Sequence, residues 1–442
     1  MRRKRLSRRK FIGAASSAFA SVTIVPRHVL GRGQVPPSDK LNIAGVGVGG
    51  RGFADLQAVS KENIVALCDV DERYAGGAFR QWPDAKRYAD FRKMLETQKD
   101  IDAVVIATPD HTHAVVAMMA IRLGKHVYCE KPLTHSVYEA RKLGEAARAS
   151  KVATQMGNQG QASEEARVVA EMILDGAIGS VSEVHAWSNR LPDISERGIP
   201  RPKDTPPVPE HLDWDLWIGP APLRPYHPSY HPFAWRGWWD FGTGVLGDIG
   251  CHELSTIFKT LKLEHPKSVE ACSTNWQRPN EVSRETAPLA SITHYRFEAS
   301  EHHGPLSIFW YDGGMRRPRP EELGPGVPFG VGDGILYVGD KGILLGSRLF
   351  PKSRAREYRK PAPKLPRSPG HHEEWLIAAK GGPPAGSNFA DHAAHLAEVV
   401  LLGNCAIRAN AKLEWDPVGM RFPNCREAEV YLNPPYRSGW SL

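Results

Sequence analysis

The sequence predicts an α/β chain of two domains: an N-terminal doubly wound parallel sheet, then a second domain whose strands are buried on one face. Three observations carry that prediction. A glycine turn, Gly45-Val46-Gly47-Val48-Gly49-Gly50, stands between an apolar strand and a helix-forming stretch. Apolar runs of strand length then alternate with runs of helix length up to about residue 157. Beyond residue 180 the strand-like stretches alternate polar and apolar, the pattern of strands buried on one face.

Composition sets the outer bounds. A chain of 442 residues, 41% hydrophobic and 24% charged, has the usage of a globular protein and room for more than one domain. Its 41 Gly and 36 Pro show no three-residue period, which excludes a collagen-like fibre. The net charge is +8, but seven Lys or Arg and no acid lie within residues 1–20. Removing those seven leaves 50 basic residues against 49 acidic, so nucleic acid is not an expected partner.

The chain opens on a basic segment, residues 1–10, followed by the apolar, small-residue stretch Phe11–Val25. Within it, Ser7-Arg8-Arg9-Lys10-Phe11-Ile12 resembles a twin-arginine export signal, so residues 1–37 read as signal and linker and the protein is expected outside the cytoplasm, in the periplasm. Ala18-Phe19-Ala20 offers a cleavage site, and an uncut anchor is the other outcome. No other run of 18 apolar residues follows, so no stable membrane span is expected after export. The six cysteines show no CxxC pair and no zinc spacing. A twin-arginine route carries proteins already folded in the cytoplasm, so reduced, buried thiols are expected and no metal.

Residues 38–157 read as a Rossmann dinucleotide-binding domain. Lys40–Val46 is its first strand, and Gly45, Gly47 and Gly50 form G-x-G-x-x-G before a helix over Arg51–Val59. Those glycines allow a tight turn, close approach of backbone to pyrophosphate, and close helix–strand packing. The second strand, Ile64–Leu67, ends at Asp69, where a carboxylate accepts from the ribose hydroxyls and repels a 2′-phosphate. NAD is therefore favoured over NADP. The strand Ala103–Ala107 ends at Thr108-Pro109, at the carboxyl edge where ligands of such sheets bind. One of His111 and His113 is expected to cap the helix Ala114–Leu123, and neither to bind metal. The strand His126–Cys129 runs into Glu130-Lys131-Pro132.

At Glu130-Lys131-Pro132, and again at Gly247-Asp248-Ile249-Gly250-Cys251-His252, the chain resembles the glucose–fructose oxidoreductase / inositol dehydrogenase (Gfo/Idh/MocA) family. The resemblance covers roughly residues 38–300. It implies a Rossmann domain followed by an α+β domain on a large, open, mostly antiparallel sheet. It also implies a nicotinamide-dependent sugar enzyme whose substrate lies between that sheet and the nicotinamide, with Glu130 and Lys131 at the cofactor. The open sheet also offers a face to a second copy of the chain, hence an expected homo-oligomer.

The residue chemistry agrees with that implication. Oxidising a secondary alcohol needs a base for the hydroxyl proton and a cation for the developing alkoxide. Lys131, at a strand's carboxyl end, suits either job. Asp248 and His252, at i and i+4, share one helix face. His252 can move a proton near neutral pH, while Asp248 orients it or holds a neighbouring hydroxyl.

The remaining elements follow in order. After the strand Lys151–Met156, Asn158 is placed to reach the nicotinamide ribose or the substrate, unless it serves only a turn. Glu164–Leu174 reads as a helix and Val181–Ser188 as the first strand of the substrate-binding domain, residues 158–442. An irregular, aromatic-rich insertion spans 191–240. Tyr226, His227 and Trp235 are its candidate substrate contacts, since aromatic faces stack on sugar rings. The competing expectation is that these aromatics form the insertion's own small core. Further strands are expected at Ser268–Asn275, Ala290–Phe297, Ser307–Tyr311 and Gly334–Gly339. Arg316–Pro328 and Pro351–Pro369 read as solvated Pro-rich loops, Ala390–Leu402 as a helix with His392 and His395 on a packing face, and Asn424–Leu442 as a tail without chemistry.

The function these readings predict is NAD-dependent oxidation of a secondary hydroxyl on a sugar, glycoside or cyclitol. Because export leads away from free NAD, the cofactor is expected to travel bound and to be recycled within the site. Redox-neutral glycoside cleavage, by oxidation, elimination and reduction, is the alternative. A non-catalytic dinucleotide or sugar sensor is the third reading.

Overall fold

The computed structural model describes residues 39–190, 197–274 and 282–442. The expected export signal and linker lie outside the described residues.

The first domain is a six-stranded, all-parallel sheet in the order β3-β2-β1-β4-β5-β6. Its strands are β1 (Asn42–Val46), β2 (Asn63–Cys68), β3 (Lys86–Tyr88), β4 (Ala103–Ile106), β5 (His126–Glu130) and β6 (Thr154–Gly157). The chain reverses its winding between β1 and β4, the switch point where such sheets open a crevice at their carboxyl ends. β3 escapes a sequence reading because Lys86-Arg87-Tyr88 has no apolar run and two of its residues are exposed. Helix α1 (Gly50–Ala58) follows the glycine turn, and α2 (Asp110–Arg122) starts at Thr108-Pro109. Helix α3 (Val137–Ala149) begins with a reciprocal cap between Ser136 and Glu139.

The second domain is an eight-stranded sheet in the order β13-β12-β11-β7-β10-β9-β8-β14, with β12 (Gly342–Leu345), β13 (Arg348–Phe350) and β14 (Leu413–Glu414) as short strands toward its edges. Only the β7–β10 pairing is parallel; the other pairings are antiparallel. β7 (Val181–Trp187), β8 (Ser268–Ser273), β9 (Ser291–Phe297), β10 (Leu306–Tyr311) and β11 (Gly334–Gly339) fall where the alternating stretches predict. Helix α4 (Glu164–Leu174) links the sheets, α5 (Gly244–Glu253) carries the Asp/His pair, and the long helix α6 (Ala394–Ala409) packs on α3, α5 and β8. His392 sits 2.9 Å from the Ser255 hydroxyl and His395 2.9 Å from the Leu263 carbonyl. Both therefore belong to a packing face.

Two segments differ from their expected solvated character. Within 351–369, Arg367 pairs with the buried carboxylate of Glu171 at 2.7 Å, and Arg354 donates to the Ala177 carbonyl at 3.0 Å. The C-terminal tail is a strap. Tyr436 donates to Glu139 at 2.5 Å, Arg437 N–H donates to the Pro220 carbonyl at 2.8 Å, and Trp440 lies against Phe91. Neither role shows in sequence, because each partner lies far away along the chain.

All six cysteines are unpaired, with Cys68, Cys129, Cys251 and Cys405 buried. Among the described residues, no helix is long and apolar enough to cross a membrane, and no His/Cys/Asp/Glu cluster has the geometry of a metal site.

Candidate functional site

The glycine turn is built as a cradle. Gly47 has φ +75°, and a Cβ there would meet the Ala107 carbonyl and Thr108 N at 2.8 Å. The close contact between helix and turn belongs to Gly52 rather than Gly50: a Cβ on Gly52 would lie 1.9 Å from the Gly47 carbonyl oxygen. Asp69 closes the turn from β2, with Oδ2 accepting from the Val48 N–H at 2.8 Å and the Gly49 N–H at 3.3 Å. Burial raises the Asp69 carboxyl, while these amides and the Asp71 N–H pull it down.

A groove of about 260 Å³ runs along this edge, with Gly47, Gly50, Asp69, Thr108 and Pro109 on one side. The residues fit a dinucleotide. Backbone approach is open at Gly47, a carboxylate stands at the end of β2, and the buried Thr108 hydroxyl has no hydrogen-bond partner within the protein.

The other wall of the groove comes from the insertion. Trp217, His231, Phe233, Trp235 and Arg236 line it. This changes the reading of the insertion. Tyr226 packs edge-on to Trp214, 5.3 Å between ring centres, while His227 bonds the Ser229 hydroxyl at 2.7 Å and meets the Tyr230 ring edge-on; neither lines this groove. Trp235 does line it.

His111 and His113 brace this edge rather than cap α2. His111 lies 2.9 Å from the Trp217 carbonyl and 3.2 Å from that of Phe241, and His113 bridges the carbonyls of Pro132 and Thr108. Burial pushes their pKa values down to about 3 and about 4.

Between the domains lies a charge cluster centred on Asp248. Lys131 at the end of β5 is ion-paired to its Oδ1. Arg190 Nη1 donates to Oδ2 at 2.6 Å, and Arg236 Nε stands 3.9 Å from Oδ1. Burial alone would raise the Asp248 carboxyl, yet Lys131, Arg236 and Arg190 overrule it and bring it down to about 2. His252, one turn further along α5, is depressed to about 4 by burial and by the Lys131 charge, so its imidazole is neutral at neutral pH. Asp110, at the start of α2, is fully buried, accepts from the Thr243 hydroxyl at 2.7 Å, and is pushed up to about 7 by burial. No sequence signal marks Arg190, Arg236 or Asp110, because no spacing ties them to Asp248.

Asp248 stands at the junction of two spaces. Arg236 lines the nucleotide groove, while His252 lines a second cavity of about 450 Å³ against the open sheet, with Trp187, Glu253, Asp333 and Tyr337. Glu253 rises to about 7 there, through burial and the nearby Asp333 and Glu165 charges.

Two expected cofactor contacts point elsewhere. Glu130 Oε1 accepts from Arg51 Nε at 3.0 Å and Gln159 Nε2 at 2.6 Å, and so is committed to a buried network. Asn158 is fully buried, and its amide donates to the Cys251 carbonyl at 3.3 Å, which pins β6 to α5. The turn after β6 faces α5, not the groove, and lines neither cavity. Gly45 serves packing, since a Cβ there would meet Val48 and Leu56 within 3 Å.

Comparison with known proteins adds to this geometry. Residues 40–158 match the profile described as oxidoreductase family, NAD-binding Rossmann fold, of GFO_IDH_MocA. Residues 200–285 match that family's C-terminal alpha/beta domain. An inositol 2-dehydrogenase of Rubrobacter xylanophilus is 32% identical over 167 residues, 37% of this chain and 47% of that protein. A glycosyl hydrolase family 109 protein of Stenotrophomonas maltophilia is 33% identical over 138 residues, 28% of this chain and 29% of the relative. The chain thus matches about half or less of the length of these relatives. The WlbA dehydrogenase from Bordetella pertussis, solved with NADH and UDP-GlcNAcA, shares the fold with TM-score 0.58 at 18% identity, over 85% of this chain and 99% of that one.

Proposed function

Because the chain belongs to the Gfo/Idh/MocA oxidoreductase family, with its NAD-binding Rossmann domain, we propose that it oxidises a secondary hydroxyl of a sugar, glycoside or cyclitol. One observation carries the reading: the Lys131–Asp248 pair and the neutral His252 stand between the nucleotide groove and a second cavity. The second cavity is the substrate space in this reading. NAD, when bound, supplies the hydride acceptor. His252 accepts the hydroxyl proton, Lys131 steadies the oxygen as its charge develops, and Asp248 holds Lys131 in place. Arg190 and Arg236 add positive potential at the same point.

We place the protein outside the cytoplasm, loaded with NAD before export, its cofactor recycled within the site as NADH reduces a second sugar after the first is oxidised. The N-terminal Arg8-Arg9 segment and the roof over the groove support that placement. Redox-neutral glycoside cleavage is the second reading, favoured by the 33% identity to a family 109 glycosyl hydrolase.

The test is to purify the exported protein and assay sugars, glycosides and inositols without added NAD. Retained nicotinamide and turnover without supplement are the expected results. Activity that depends on added NAD removes the recycled cofactor, release of aglycone promotes the second reading, and no response to any polyol ends both.

A further inference from the structure

The nucleotide groove contains a cation that the fold leaves unsatisfied. Among the described residues lining it, two carry a guanidinium, Arg51 and Arg236. Arg51 is committed: it pairs with Glu130 at 3.0 Å and Asp55 at 2.9 Å. Arg236 is different. Its Nε is buried and has no hydrogen-bond partner, and its closest carboxylate oxygen, on Asp248, lies at 3.9 Å. Its Nη1 donates to the Phe233 carbonyl at 3.1 Å. The guanidinium is held between aromatic faces, 4.0 Å from the Phe233 ring centre and 4.2 Å from that of Trp235, and shares Asp248 with the closer Lys131 and Arg190. A positioned, half-buried arginine whose closest carboxylate is already taken up by Lys131 and Arg190 has charge left for an incoming anion.

The element that carries Arg236 is tied down on both sides of the groove. Beyond β2, Asp71 takes His231 Nε2 at 2.7 Å and His211 Nδ1 at 3.1 Å. Backbone bonds reinforce that side, from Asp213 N–H to the Val70 carbonyl at 2.8 Å and from Glu72 N–H to the His211 carbonyl at 3.0 Å. At the start of α2, His111 lies between the Trp217 and Phe241 carbonyls. The roof therefore spans the groove from the Asp69 end to the Thr108 end.

We propose that the aromatic insertion is a cofactor clamp: Arg236 supplies the counter-charge to the dinucleotide's pyrophosphate from above the glycine turn, and the Asp71 latch keeps the roof closed over it. The clamp rests on the groove being the NAD site of the reading above. It gives a physical cause for a cofactor that stays bound through many turnovers, because release requires the roof to lift.

The experiment measures binding and release rather than turnover. Calorimetry compares ADP-ribose with adenosine on the wild type, Arg236→Gln and Arg236→Lys. A charge-assisted contact predicts a loss of about 10- to 100-fold for ADP-ribose in Arg236→Gln, no change for adenosine, and partial recovery in Arg236→Lys. Release of NADH, followed by its fluorescence, is expected to speed up about tenfold or more in His231→Ala, since opening then costs less. Equal effects on ADP-ribose and adenosine, no effect on either, or unchanged NADH release from His231→Ala would overturn the clamp. A loss confined to sugar binding at saturating NADH also overturns it and makes Arg236 a substrate contact. Wild-type protein that binds neither NADH nor ADP-ribose brings down the NAD reading itself, and the clamp with it.

Discussion

Lys131 and Asp248 form a direct ion pair between the carboxyl end of β5 and helix α5, so the geometry of the site depends on how the two domains are docked. Asp248 is the carboxylate that pairs with the Lys131 ammonium, and it also takes Arg190. Replacing it by Asn leaves Lys131, Arg190 and Arg236 without their shared counter-charge. We expect Asp248→Asn to lower kcat by about 100-fold or more while NADH binding persists, the scale lost with one positioned catalytic group. Steady-state kinetics beside NADH fluorescence titration checks this; a kcat within twofold of wild type removes the pair from the reaction.

His252 sets a pH dependence of defined sign. Burial depresses its pKa most, Lys131, Arg190 and Arg51 add to that against the opposing Asp248 charge, and the imidazole is held down at about 4. A base is active when unprotonated, so kcat/KM is expected to stay flat as pH falls through 6.5 and to drop only toward pH 4. An acid limb centred near 6.5 would place the proton acceptor elsewhere. His252→Gln is expected to abolish the limb along with most of the rate.

Cofactor choice turns on Asp69. Its carboxylate faces the groove and also holds the Val48 and Gly49 amides. Asp69→Ala therefore has two effects: weaker binding of NAD, through the loosened turn, and a smaller penalty for the 2′-phosphate of NADP. The ratio of the two dissociation constants is expected to move toward NADP by about tenfold, on the scale of one charge–charge interaction. An unchanged ratio would detach Asp69 from the ribose.

Packing around the turn separates two glycines. Gly52→Ala would drive a Cβ into the Gly47 carbonyl at 1.9 Å, whereas Gly77, also helical, has nothing within 4 Å of a Cβ. Thermal melts should show Gly52→Ala losing several degrees or more, as expected of a substitution costing a few kcal/mol, about 2–4 °C per kcal/mol at this domain size. Gly77→Ala should hold or gain stability by about 0.5–1 kcal/mol. Equal melting of the two variants would show that the turn yields to the added methyl.

Local patterns made the first domain readable. β1, β4 and β5 are continuous apolar runs because both faces of a parallel sheet are covered, and the glycine turn needs residues without a side chain. The one strand missed there, β3, is short, exposed at its first two residues and paired on one edge only. The Asp248/His252 pair was also legible, since four residues along a helix return to the same face. The aromatics of 191–240 were legible only as a composition: most of them pack into the insertion's own core, and Trp235 also lines the nucleotide groove.

What the sequence by itself determined are the elements that short-range periodicity and backbone freedom control: the central strands of the nucleotide sheet, its glycine turn, five of the open sheet's eight strands, and the helix bearing Asp248 and His252. Only the tertiary structure decided which charges meet there. Arg190 lies 58 residues from Asp248 along the chain and Lys131 lies 117, yet both bond its carboxylate. Such contacts arise when two separately patterned domains bury a common surface and their charged groups must find partners inside it. The roof over the nucleotide groove has the same origin: His231 reaches Asp71 across 160 residues, and no local pattern along the chain records that distance.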